Sequence, residues 1–182
     1  MRTAPIQLSQ ISFRRVSVEL DAARIPEDGS TPKDVSLDFD GVNIATHVSF
    51  SPADESERSG TALFLALRVV IDNQASAEEG VRFSPYLVDI EAGALVHALP
   101  GAEALGDIED LVVVNGTSML WSAIREQVCN LTARMPAGQV MLPTVNFHDL
   151  KKQNREKGEE VKAPVAKSKP GRARIATKTS DA

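Results

Sequence analysis

Three histidines and one cysteine are the residues of this chain best suited to metal or nucleophilic chemistry, and their spacing supports neither. His47, His97 and His148 stand far apart, outside any His-Glu-x-x-His or Cys-x-x-Cys context, and read as strand or surface side chains. Cys129 has no flanking Lys or His to activate it and reads as an inert structural thiol. Neither a Gly-x-Ser-x-Gly elbow nor a phosphate-binding glycine loop occurs. The expectation is a protein that is not an enzyme and uses no cofactor or metal. What remains is a chemistry of contact. Leu120, Trp121, Ile124, Val128 and Leu131 recur at helical spacing and make one apolar stripe, to be read as core, subunit contact or the lining of a groove for another polypeptide.

At 182 residues the chain has room for one domain and an appendage, divided here as residues 1–150 and 151–182. The first part carries 21 Asp and Glu against 10 Lys and Arg, a net of -11; the second carries 4 against 10, a net of +6. An acidic body repels a phosphate backbone, so nucleic acid is not an expected partner of the domain, and only the tail has the charge for it. The tail also lacks bulky apolar residues, so its sequence predicts disorder. One cysteine excludes an intrachain disulfide and suits a reducing cytoplasm. No apolar run reaches the ~20 residues of a membrane-spanning helix, and the N-terminus shows no signal-peptide pattern, which predicts a soluble cytoplasmic protein without membrane insertion.

The elements that must position the stripe begin with four extended segments. In the first, Ile11 and Phe13 alternate in one phase and Val16, Val18 and Leu20 in the other, which predicts a strand with a bulge at Arg14-Arg15. In the second, Val35, Leu37 and Phe39 give way to Val42, Ile44, Val48 and Phe50 across Gly41, predicting the same device. Residues 61–71 are apolar except for Arg68 and read as a strand covered on both faces. Residues 81–96 form the fourth, with Pro85 costing a ladder bond and Gly93 marking a bend or the end. The period then changes. Thr117 is the expected N-cap of a helix of about five turns that Pro136 and Gly138 terminate. Residues 140–147 make an extended link, and residues 148–157 suit a short final helix. Strands followed by helices predict an α+β fold with an antiparallel sheet. One helix cannot cover both faces of that sheet, so at least a dimer is expected.

The run Gly116-Thr117-Ser118-Met119-Leu120-Trp121-Ser122-Ala123-Ile124-Arg125-Glu126, then Leu131-Thr132-Ala133-Arg134, then Leu142-Pro143-Thr144-Val145-Asn146-Phe147, resembles the protein-export chaperone SecB family in order and spacing. Weaker matches run through Val16-Ser17-Val18-Glu19, Val35-Ser36-Leu37-Asp38-Phe39-Asp40, Leu67-Arg68-Val69 and Tyr86-Leu87-Val88-Asp89-Ile90, so that residues 5–150 are covered. The resemblance implies a four-stranded antiparallel sheet followed by one long and one short helix, assembled as dimers or tetramers. It also implies an ATP-independent holdase that binds unfolded or presecretory polypeptides in apolar grooves and passes them to the translocase ATPase SecA. On that basis Arg125 and Arg134 would pair with carboxylates in the assembly, and Glu19, Leu87 and Asp89 match the surface through which the family contacts SecA. Arg15 stands where that surface is normally acidic, and the basic tail reverses the acidic character of the export members' C-terminal segment. Two alternatives therefore stay open: a SecB-like chaperone dedicated to one partner, such as the antitoxin of a toxin–antitoxin system, and a scaffolding or nucleic-acid-associated protein that acts through its tail.

Overall fold

The structure is a computed structural model that describes residues 3–24, 39, 41–53, 62–74 and 82–152. It is α+β. The strands β1 (Ile6–Leu20), β2 (Ala45–Pro52), β3 (Ala62–Ile71) and β4 (Tyr86–Ala98) precede one long helix, α1 (Ile108–Thr132), and a single 3₁₀ turn, His148–Leu150, closes the described chain. The expected segment 35–38, the expected helix beyond residue 152 and the tail from residue 153 lie outside the described residues.

All strand pairs are antiparallel and the spatial order is β1-β4-β3-β2. Three consecutive strands form a meander, and the first strand returns to pair with the last of them, a Greek-key arrangement. Even-numbered positions of β4 and odd-numbered positions of β3 point toward α1: Val88, Ile90, Ala92 and Val96 beside Leu65, Leu67, Val69 and Ile71, all buried. This face meets Val112, Val113, Leu120, Ile124 and Val128 of the helix in one apolar cluster. Burying such side chains supplies the main driving force for the fold, about 1.5–3 kcal/mol for each Val, Leu or Ile.

The bulge expected at Arg14-Arg15 is present, as a register shift between Phe13, opposite Ala92, and Arg15, opposite Glu91. A second shift separates Ser9 from Ser12, with Gln10 in the left-handed region at φ 54°. Other expectations are corrected. Gly41 lies outside β2, in a turn with φ 80°, where Val42 N–H bonds the Phe39 carbonyl at 3.0 Å; the strand starts at Ala45. β3 is covered on one face only, because Phe64 on the opposite side is 52% exposed. Pro85 precedes β4 and so removes no ladder bond, and Gly93 lies inside the strand, which continues to Ala98.

The helix is capped ten residues before the expected Thr117. Asp107 is the N-cap, its carboxylate accepting the Asp110 N–H at 2.9 Å, with Glu109 and Asp110 favourably placed in the first turn. Asn115-Gly116 resembles a helix breaker in sequence, but the glycine is there for contact. A Cβ on Gly116 would sit 3.0 Å from Val96 and 3.2 Å from Leu65, so only glycine lets helix and sheet approach this closely.

Candidate functional site

The residues that carry the family resemblance converge in space. Trp121 donates its indole N–H to the Pro143 carbonyl oxygen at 2.9 Å, and Arg125 Nε donates to the Leu142 carbonyl oxygen at 2.7 Å. Thr132 Oγ1 accepts the Val140 N–H at 3.0 Å, and the Trp121 and Phe147 rings meet edge to face at 5.8 Å. Tyr86, at the start of β4, donates its hydroxyl to the Gly138 carbonyl oxygen at 2.8 Å. An extended link has no ladder for its backbone groups, so side chains from α1 and β4 supply the partners. Residues 138–147 thus act as one strap along the helix. Arg125 serves that strap through a carbonyl rather than a carboxylate, while Arg134 is exposed beyond the helix end.

The same geometry places the helical stripe. Leu120, Ile124 and Val128 are fully buried against the chain's own sheet, Trp121 is 4% exposed, and Leu131 is partly exposed. The first four line no open groove on the described chain. Apolar side chains left accessible lie elsewhere: Ile11, Phe13 and Val16 on the edge strand β1, Phe64 on the helix-free face of the sheet, and Met141 and Val145 on the strap.

Glu19, Leu87 and Asp89 share the helix-free face. Glu19 is in register with Leu87, and Asp89 follows two residues along β4, opposite Ser17. Asp89 is already engaged. Arg68 binds it through both carboxylate oxygens, Nε at 2.8 Å and Nη2 at 2.9 Å, and Arg15 Nη1 binds it at 2.6 Å. The Arg68 guanidinium, with help from Arg15, holds the Asp89 carboxyl down at about 2 against the opposing effect of partial burial. Glu19 accepts the Ser17 hydroxyl at 2.9 Å. The sequence marks Arg68 as the one charge in an apolar strand; that its partner is Asp89 follows from strand pairing, which the sequence does not display.

Among the described residues, fold and surface define an α+β protein whose sheet has α1 on one face and no helix on the other, with accessible apolar side chains on the edge strand β1. Among the described residues no cluster of three or more His, Cys, Asp or Glu is suited to hold a metal ion, and no helix is long and apolar enough to cross a membrane. No protein-family model matches the chain, and no curated protein matches it. Among solved structures it is similar to a protein of unknown function from Streptococcus agalactiae, at 14% identity and a TM-score of 0.45, covering 76% of this chain and 96% of that one. It is also similar to a SecB-like chaperone from Mycobacterium tuberculosis solved with a peptide from an antitoxin, at 20% identity and a TM-score of 0.41, covering 78% and 91%. Likeness at these levels assigns no function to this chain.

Proposed function

We propose that this chain is an ATP-independent holdase of the SecB type, which binds unfolded polypeptide in the cytoplasm as a homo-oligomer. The observation that carries the reading is that, within residues 116–147, whose order resembles that family, the link of residues 140–147 is hydrogen-bonded as a strap along α1. Apolar side chains left accessible around it support polypeptide contact: Phe64, Met141 and Val145 offer several weak contacts, the arrangement by which one flexible client gains avidity. The outer edge of β1, with which no strand pairs among the described residues, is where we place the second copy, since an edge strand with the exposed Ile11, Phe13 and Val16 suits pairing with another strand. A denatured client diluted into buffer with about stoichiometric protein and no ATP should stay clear by light scattering. If several chemically unrelated clients all aggregate as fast as without it, the reading is lost.

Within that class, one observation favours a dedicated partner over general export. Asp89 is neutralised by two arginines, so the acidic surface that a SecA contact of the family type would need is not offered at that position. Affinity capture from cells tests this: one dominant partner supports the dedicated reading, and a broad set of presecretory proteins with SecA supports general export. A nucleic-acid or scaffolding role rests on the tail alone and would be lost if deleting residues 151–182 left duplex binding unchanged.

A further inference from the structure

The strand registers place four small residues in one row across the helix-free face. Ser12 of β1 is opposite Gly93 of β4, Gly93 is opposite Ala66 of β3, and Ala66 is opposite Ser49 of β2. The row is the floor of a depression of about 480 Å³ that continues, through Ser49 and Ala66, into a second of about 200 Å³ beside His47, Arg68 and Glu91. Its two walls differ. One residue pair along the strands on one side stand Leu95 and Phe64, mutually in register; on the other stand Glu91 and Arg68, also in register. The walls are about 13 Å apart at ~3.3 Å per residue, and four strands at ~4.8 Å spacing make the floor about 14 Å long.

The charged wall is positive where it meets solvent. The bulge at Arg14 turns two consecutive arginines to this face, Arg14 to Glu91 at 3.5 Å and Arg15 to Asp89 at 2.6 Å. The side chains of Arg14, Arg15 and Arg68 are 66%, 53% and 39% exposed, whereas those of Asp89 and Glu91 are 25% and 27% exposed. Three guanidinium groups therefore stand above two carboxylates, on a body whose net charge is -11 over residues 1–150. A guanidinium has five N–H donors, and one or two contacts to a carboxylate leave others for a second acceptor. Arg14 also reaches over the floor: a Cβ on Gly93 would lie 3.8 Å from its Nε.

We infer that this transverse groove is a docking site for an acidic amphipathic helix of another protein, with carboxylates against Arg14, Arg15 and Arg68 and bulky apolar side chains against Phe64 and Leu95. The face of a sheet has no free backbone groups to offer, so an occupant lying across the strands brings its own hydrogen bonds closed, as a helix does. A helix with its side chains is 10–12 Å across, and with the backbone rows of the walls about 13 Å apart it rests over the row of small residues with one flank against each wall. The site does not rest on the holdase reading. Unfolded clients meet scattered apolar patches, whereas this groove recognises one folded segment by charge and shape together.

The test uses the full chain and a fluorescein-labelled synthetic peptide about 15 residues long, with Glu along one flank and Leu and Phe along the other, read by anisotropy at low salt. The acidic peptide should bind about tenfold or more tighter than the same peptide with Lys for Glu, and binding should weaken as salt rises. Ala66→Trp, which fills the floor, and Arg14→Glu, which reverses the most exposed charge, should each weaken binding about tenfold with the circular dichroism spectrum and the unfolding midpoint unchanged. Should Ala66→Trp fail to fold, Ser49→Trp blocks the same row from the edge strand. Equal affinity for the acidic and basic peptides overturns the proposal. So does binding that survives both blocked floor and reversed charge, or an Arg14→Glu variant that changes self-association in sedimentation while peptide binding stays intact, which would make the face a contact between copies. Aggregation suppression on the same variants separates the two readings, because loss of peptide binding with protection retained leaves the holdase standing.

Discussion

Trp121 and Pro143 are joined by a 2.9 Å hydrogen bond from the indole N–H to the backbone carbonyl, across a gap of 22 residues. It ties the middle of α1 to a link that has no other regular structure, and it gives the protein a single internal reporter, because Trp121 is the one tryptophan.

Trp121→Phe keeps the ring but leaves the Pro143 carbonyl without this donor. The Pro143 carbonyl is only partly buried, so losing its donor costs about 1 kcal/mol, and the smaller ring also loses contact with Phe147. Urea unfolding followed by circular dichroism should show the midpoint falling by a corresponding amount. Arg125→Ala should act in the same direction through the Leu142 carbonyl.

Gly116→Val tests why the helix runs through a residue that looks like a breaker. An added Cβ already meets Val96 and Leu65 at 3.0 and 3.2 Å, and branched methyl groups have nowhere to go without separating helix from sheet. Overpacking of this kind costs about 1–3 kcal/mol. Trp121 emission should shift to the red in the folded variant if the strap loosens with the interface, and an unchanged unfolding midpoint would contradict the close-approach account.

The Arg68 and Asp89 pair predicts a pH window. The folded carboxyl is held at about 2, below its ordinary value of 3.8. A depressed carboxyl contributes stability that is present above the unfolded value and is lost as pH falls through the folded one. The stability gap between the native protein and Asp89→Asn should therefore be full at pH 6 and shrink between pH about 4 and about 2. Because the pair is partly solvated, the gap at pH 6 should be about 1 kcal/mol or less. A gap that stays constant across the window would show that the pair contributes only as a neutral hydrogen bond.

Phe13→Ser together with Val16→Ser tests assembly through β1. Both side chains are exposed on an edge strand, so the variant should keep its circular dichroism spectrum and lose under about 1 kcal/mol. Sedimentation velocity should show a shift from oligomer to monomer, with protection of a denatured client falling several-fold as multivalency is lost. An unchanged sedimentation coefficient would remove β1 as the place where copies meet.

Much of the architecture was legible because it depends on local periodicity. The change of phase at Arg14-Arg15 announced a bulge, and the bulge is there, since alternation on a strand maps directly onto its two faces. The 3.6-residue recurrence of Leu120, Ile124 and Val128 likewise announced a helix whose apolar stripe is buried. The reading failed where a local signal is outvoted by packing. Thr117 has the side chain of an N-cap, but Asp107 caps the helix, and Gly116 lies inside it, where contact with Val96 and Leu65 leaves no room for a side chain. Gly93, expected to mark a bend or the end of a strand, lies inside β4, in a row of small residues that crosses the sheet.

The α+β class, the extended segments and the long amphipathic helix were legible in the sequence because each depends on spacing along the chain, while the grouping of residues 116–147 came from a resemblance to a known family. Strand pairing is what puts β1 beside β4, sets Asp89 against Arg68 and Arg15, and brings Ser12, Gly93, Ala66 and Ser49 into one floor. Those relations depend on which strands become neighbours and in what register, and residues as far apart in the chain as Ile6 and Ala98 meet through hydrogen-bond ladders that no local pattern encodes. The stripe of Leu120, Ile124 and Val128 shows the boundary between the two: its period was written in the sequence, but its burial against the chain's own sheet depends on the fold.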